Sequence, residues 1–317
     1  MIYIKFTFFI VLVLSSFFGP YYGYLNHIPS TSTKVLDVTY GENINKTISK
    51  ISNLNLINKI FLNIYLNTED INQFQAGEYE ITNKTFKVII DELKVGNTIT
   101  HKLIIKEGMN IYQLNELIEK SYLINDCNML QCIKSNFNFK EGILYPDTYY
   151  YKKSMLASNI LQKSHDIMQI HLNEIFNNKN LSNNLTKEEI LILASIIEKE
   201  AGNEDEKIKI SSVFLKRLSI NMRLQADPTI IYGLLPNFDG DIKKSDILDK
   251  KNKYNTYMIK GLPPTPISIV SINSIKAAAN AEIGEYLYFV ADTPQSHYFS
   301  KTYQEHLNKI NELGLNK

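Results

Sequence analysis

TKEEILILASIIEKEAG, residues 186–202, is the stretch on which the reading of this chain turns. Thr186 with Glu189 three positions on forms a capping box, in which two side chains satisfy two otherwise free backbone N–H groups at a helix start. Ile190, Leu193, Ala194 and Ile197 then share one face at about 100° per residue, while Leu191, Ile192 and Ile196 fill the others. A helix apolar nearly all round belongs inside a core, so this one is expected to be central and buried. Charge abuts that core in Glu198, Lys199 and Glu200. The two glutamates are about 200° apart round the helix and cannot enter one cleft together. Glu200 points between Ile196 on one side and Leu193 and Ile197 on the other, an apolar flank that raises a carboxyl toward the pKa of a general acid. Glu198 has Leu191 and Ala194 beside it, so geometry does not choose between them, and both side chains solvating a helix end is the plainer alternative.

Downstream, VFLKRLSINMRLQADPTIIYGL (213–234) reads as helix, turn, helix, and it holds both arginines of the chain, Arg217 and Arg223, against thirty-two lysines. A planar guanidinium fork does what an ammonium cannot, so two Arg six residues apart mark a place where geometry matters, or a structural salt bridge. Gln225, Asp227, Thr229 and Tyr232 lie in the same segment. Asp227-Pro228 is a helix-start signal, with Asp227 able to cap and Pro228 at the first position. YNTY (254–257), with Asn255 and Tyr257, and the rigid GLPPTP (261–266) make either a sugar-binding wall of rings and amides or an ordinary packed turn. EYLYFVAD (285–292) reads as a strand, and HYFS (297–300) as a second strand after a DTPQS turn.

Upstream, Leu156–Phe176 is a helical stretch and NNKNLSNN (177–184) a polar loop. Before it, two segments echo each other. VTYGENINKTISKI from Val38 and IKEGMNIYQLNELI from Ile105 each give an extended run, a Gly and then helical spacing. FQAGEYEI at Phe74 and FKEGILYP at Phe139 follow them in turn. Two diverged α/β units are therefore expected over 35–150. A strand, Gly turn and helix of this kind resembles the LysM-like fold, which binds glycan chains; units that only space one part of the chain from another are the alternative.

At the N-terminus, FTFFIVLVLSSFF (Phe6–Phe18) carries no charge, and GPYYGYL extends the stretch to Leu25, about twenty residues or one bilayer crossing. No small-residue cleavage motif follows, and Pro20, Tyr21, Tyr22 and Tyr24 resemble an interfacial belt, so an uncleaved signal anchor is preferred to a cleaved signal peptide. With Lys5 inside, everything from about Asn26 lies on the outer side. The expected organisation is a cytoplasmic tip and transmembrane anchor (1–25), a linker (26–34), the LysM-like region (35–150) and a catalytic domain (151–317). The 317 residues are 44% hydrophobic and 21% charged with a net charge of +1, which excludes disorder and gives no electrostatic footprint for nucleic acid. Cys127 and Cys132 (CNMLQC) are either a small disulfide of an oxidising compartment or two buried apolar side chains. Six scattered His and no Gly-rich phosphate loop lead to the expectation of no metal and no cofactor.

Five blocks in order, EGILYPDTYYY at Glu141, ILASIIEKEAG at Ile192, VFLKRLSINMRLQADPTIIYGL at Val213, YNTYMIKGLPP at Tyr254 and YLYFVADTPQSHYFS at Tyr286, resemble the YceG-like endolytic murein transglycosylases of the MltG type. The resemblance covers essentially the whole chain. It implies an α+β fold: an N-terminal transmembrane helix, a LysM-like α/β region and a YceG-like catalytic domain, in a single-pass protein of the bacterial inner membrane. It also implies that Glu200 is the acid/base and that Gln225, Asp227, Thr229, Tyr232, Asn255 and Tyr257 surround a glycan cleft. The implied activity cleaves the MurNAc–GlcNAc bond of nascent peptidoglycan, leaves 1,6-anhydro ends and limits strand length, in partnership with peptidoglycan synthases. Arg223 is assigned to a carboxylate of the stem peptide or lactyl group. The rivals are a hydrolase of the same bond and a catalytically weak glycan-binding scaffold. Two departures stand out: Lys216 replaces the family's Asn before Arg217, and the Pro usual after the GLPP loop is missing from SIVSINS.

Overall fold

The computed structural model describes residues 2–179 and 184–315, with side chains described from residue 13 onward. The chain divides into two units, Met1–His101 with Tyr150–Ser154, and Lys102–Tyr149 with Met155–Lys317.

The first unit contains α1 (Ile2–Asn26), β1 (Val35–Val38), α2 (Ile44–Ser49), α3 (Leu56–Thr68), β2 (Gly77–Glu80) and α4 (Phe86–Val95). β1 and β2 pair antiparallel with Leu36 opposite Tyr79, and alternation along β1 turns Leu36 and Val38 inward. Asn43, Asn55 and Thr85 accept hydrogen bonds from the first turns of α2, α3 and α4, which is what short helices need to start. After β1 the chain forms α2, where the first echo has its helical spacing, and then α3, which carries no expectation, before the strand β2. Among the described residues no helix is long and apolar enough to cross a membrane. The apolar run Phe6–Phe18, on which the signal-anchor expectation rests, lies largely outside the described side chains.

The second unit is built from α5 (Ile111–Glu119), α6 (Ala157–Asn177), α7 (Lys187–Glu200), α8 (Lys207–Ser219), α9 (Asp227–Leu234), the single turn α10 (Lys244–Ile247), α11 (Ile272–Asn280), the hairpin β5 (Tyr288–Thr293) and β6 (Ser296–Ser300), and α12 (Tyr303–Glu312). The chain passes between the units along β3 (His101–Ile104) and β4 (Thr148–Tyr151). The division therefore falls at His101 and not near residue 150: the second echo, 102–149, joins the unit that holds the central helix. Its main chain explains why. Gly108 N–H donates to Ile269 O at 2.8 Å and Ile269 N–H to Met109 O at 2.7 Å. Gly142, at φ +73°, lies so close to the Pro-rich loop that a Cβ there would sit 2.6 Å from Pro266 Cβ. Cys127 and Cys132 are joined by a disulfide.

α7 starts with the capping box the sequence predicts, Glu189 N–H donating to Thr186 Oγ1 and Thr186 N–H to Glu189 Oε2. Every residue from Ile190 to Ile197 is buried, against α11, α8, α9 and α6. Ser195, polar within that run, is satisfied on both sides: its hydroxyl donates to Ile192 O and accepts from Ile267 N–H at 3.0 Å. The hydroxyl thereby ties the helix to the chain that follows the Pro-rich loop.

Candidate active site

The end of α7 sends its two glutamates to different places. Glu198 Oε2 accepts from Ser271 N–H (2.9 Å), Ser271 Oγ (2.6 Å) and Ser274 Oγ (2.5 Å), with Lys207 Nζ at 3.5 Å. Ser271 is the N-cap of α11, so this carboxylate is bound into the junction of two core helices. Glu200, on the other side, is half-buried in a cleft of about 420 Å³ lined also by Arg217, Gln225, Asp227, Tyr257 and residues of the hairpin and α12. Its carboxyl makes no hydrogen bond to the described residues. Burial pushes its pKa up to about 8, the Asp227 charge adding to the rise and Arg217 opposing it. At neutral pH it is a protonated acid, the state a general acid needs.

Gly202 lets the hairpin close over this helix end. A Cβ there would meet the Gln295 carbonyl at 3.0 to 3.1 Å, and Asn203 Nδ2 donates to Gln295 O at 2.5 Å. Tyr288, His297, Tyr303 and His306 consequently face the cleft, with His297 N–H and Nδ1 both held by the Glu206 carboxylate.

Asp227 opens α9 but does not cap it, contrary to expectation: Ala226 holds the cap position without a side-chain bond, and the Asp227 carboxylate accepts from Tyr257 OH at 2.7 Å. Burial, and after it that bond, raise the Tyr257 phenol pKa. Gln225, at φ +52°, is exposed in the cleft. Thr229 and Asn255 are buried and do not line it. Thr229 Oγ1 donates to Ala226 O and pairs with Thr256 Oγ1. Asn255 Nδ2 reaches the carbonyls of Asp246, Ile247 and Asp249, each at 3.0 Å, and its Oδ1 accepts from Tyr257 N–H, so it shapes the loop that presents Tyr257. Arg223 is exposed and outside the cleft; Arg217 is the arginine inside it. The contribution of the hairpin and α12 to the cleft is not expected from the sequence, where 285–292 and 297–300 read only as strands and 303–312 carries no reading.

Tyr232 turns to a second buried carboxyl. Glu141, 4% exposed, accepts from Ile111 N–H at 2.8 Å and Gly142 N–H at 3.1 Å, with the Tyr232 phenol near enough to favour its charged form. Tyr232 meets Tyr254 edge to face at 4.8 Å, and Tyr254 OH bonds Thr265 Oγ1. Of the YNTY tyrosines only Tyr257 lines the cleft. Burial pushes the Glu141 carboxyl up to about 7 from 4.5. Because the folded value is the higher, the associated stability is complete below about pH 4.5 and is lost as pH rises through about 7, up to roughly 3 kcal/mol. Glu141→Gln should therefore gain on the wild type in thermal melts between pH 5 and 8, and a difference independent of pH would refute this account.

Residues 36–312 match the YceG-like family model. An endolytic murein transglycosylase of Bacillus subtilis (strain 168) is 29% identical over 278 residues, covering 78% of this chain and 75% of that protein. One of Streptococcus pneumoniae serotype 2 (strain D39) is 30% identical over 178 residues, 54% of this chain and 32% of its own length. The crystal structure of a yceG-like protein from Listeria monocytogenes has 26% sequence identity and a TM-score of 0.57, covering 86% of this chain and 97% of that one. The family match takes in the central helix, both glutamates, the cleft and its hairpin together, and this chain belongs to the YceG-like family.

Proposed function

We propose that the chain is an endolytic lytic transglycosylase of peptidoglycan, with Glu200 as its acid and base. The observation that carries this is one carboxyl, without a hydrogen bond to the described residues and protonated at neutral pH, in the cleft of a chain whose relatives are named for murein. A glycosidase that uses water needs two carboxyl groups flanking the bond. A transglycosylase can use one twice. Glu200 gives its proton to the glycosidic oxygen as the bond to MurNAc C1 breaks, and GlcNAc leaves with a free C4 hydroxyl. The MurNAc C6 hydroxyl attacks C1, and the Glu200 carboxylate takes that hydroxyl's proton. The product is a 1,6-anhydro end, no water is consumed and Glu200 is restored to its starting state.

Asp227 faces the same cleft and supports a second reading, hydrolysis of the same bond with Asp227 as base, although Tyr257 OH already occupies one of its oxygens. Further parts of the proposal rest on the sequence. Phe6–Leu25 anchors the chain in the inner membrane with the cleft on the outer side, and Val13, Leu14, Phe17 and Phe18 exposed on α1 support this. The helices between the paired strands β1 and β2 support the LysM-like reading and a glycan-holding role. Work beside peptidoglycan synthases on nascent strands completes it. Mass analysis of the products from uncrosslinked strands tests the chemistry: anhydro ends are expected, and ends one water heavier would establish the hydrolase instead.

A further inference from the structure

Arg217 is only 6% exposed, yet it lines the cleft. Its Nε–H donates to Leu287 O at 2.7 Å and its Nη1 to Leu224 O, which fixes the guanidinium between the hairpin and the chain before α9. A guanidinium has five N–H donors, so these two bonds leave others uncommitted. Among the described residues no carboxylate comes within 4.0 Å of it. A buried cation with no carboxylate in direct ion-pair contact is unfavourable, and its free N–H donors could be met by an anion from outside.

The surroundings extend the same character. The guanidinium lies over the Tyr288 ring at 5.4 Å from its centroid, and His306 stacks on that ring at 5.2 Å. His306 Nδ1 is buried without a hydrogen-bond partner among the described residues, and burial with the Arg217 charge lowers the imidazole's pKa. The imidazole is then neutral and can offer one N–H to a ligand. Glu200 is protonated at neutral pH, and the Asp227 carboxylate is engaged by Tyr257. The uncommitted groups of the cleft beside Arg217 are therefore mainly donors.

We propose that Arg217 and His306, joined through the Tyr288 ring, form an anion subsite that takes a carboxylate carried by the muramyl residue being cleaved. This rests on the transglycosylase reading. Two carboxylates share that chemistry: the lactyl carboxylate of a residue without peptide, and a carboxylate of the stem peptide. Either is tethered to O3 of the sugar whose C1 reacts, so holding it fixes which glycosidic oxygen lies against Glu200.

The test uses the full chain and four strand preparations, with or without stem peptides, each with its carboxylates free or converted to methylamides. Anhydro ends are quantified to give kcat and KM for the wild type, Arg217→Lys and His306→Ala, with folding checked by thermal melting. Amidation should lower wild-type kcat/KM about 10- to 100-fold, mostly through KM, as expected for one charge-assisted contact. A penalty on peptide-free strands alone assigns the subsite to the lactyl carboxylate; one on peptide-bearing strands alone assigns it to the stem. Both variants should discriminate between free and amidated strands less than the wild type does, Arg217→Lys because it keeps the charge but loses the fork and His306→Ala because one donor is gone. Equal cleavage of free and amidated strands by the wild type overturns the proposal. So does a variant that is slowed equally on both and still discriminates between them, the mark of a structural role. If Arg217→Lys does not fold, His306→Ala decides by the same criterion. Absence of anhydro ends from every strand would sink the transglycosylase reading and the subsite with it, an outcome distinct from unselective cleavage.

Discussion

Glu200→Gln is expected to lower the rate of anhydro-end formation by a hundred- to ten-thousandfold or more, while strand binding survives. General acid-base catalysis typically contributes about 10² to 10⁴, and here one group serves both proton transfers. Gln has nearly the same shape and no proton to give. The wild-type rate should follow the protonated fraction of Glu200: level on the acid side, then falling about tenfold per pH unit above about pH 8. The same variant should be more stable than the wild type in alkali. The folded pKa of Glu200 is raised from 4.5 to about 8 by burial, so its stability contribution is complete below about pH 4.5 and is lost as pH rises through about 8. That loss is a few kcal/mol, enough to lower a melting temperature by several degrees at pH 8.5 and by nothing near pH 4.5. An inactive variant whose melting advantage over the wild type opens above about pH 4.5 and grows up to about pH 8 would tie the acid and its buried environment to one residue. Activity that survives the change, or a melting point unmoved at pH 8.5, would remove Glu200 from the role.

Part of this was legible in the sequence for physical reasons. The capping box of α7 and its burial are local properties: Thr186 and Glu189 lie within one turn, and a run of apolar residues has only the core to enter. The choice between Glu198 and Glu200 was not local. Helix angle shows that the two diverge, but what receives Glu198 is Ser271, more than seventy residues away. Arg217 and Arg223 pose the same difficulty, since residue type marks both and only tertiary placement buries one. Thr229 and Asn255 show a further limit. Their hydroxyl and amide would serve a sugar as well as they serve backbone carbonyls, and a pattern of polar residue types does not say which partner they meet. The echo around Ile105 was readable as a strand, Gly and helix, yet its place with the catalytic unit depends on contacts such as Gly142 against Pro266. The hairpin was readable as two strands, but that it walls the cleft follows from its close approach to Gly202.

Glu198→Ala should do the opposite of Glu200→Gln, costing stability rather than chemistry. Glu198 Oε2 collects three hydrogen bonds and the nearby Lys207 ammonium, all where α7 meets the N-terminus of α11. Removing it leaves Ser271 N–H without its acceptor and the buried Lys207 with Glu204, on the more exposed side, as its remaining anion. Breaking a buried ion pair by deleting one partner typically costs about 3–5 kcal/mol, and an orphaned buried donor adds to it. The affected helices are central to the core, so the loss should appear in the global unfolding transition as a lower denaturant midpoint. Glu198→Gln should recover part of the stability, because its amide oxygen can still accept from Ser271, but not the attraction to Lys207. Product chemistry is the discriminating readout. Whatever fraction of Glu198→Gln remains folded at low temperature should release the same anhydro ends as the wild type, with the same fall in rate above about pH 8. A Glu198→Gln protein that is fully folded and catalytically dead would exchange the roles of the two glutamates.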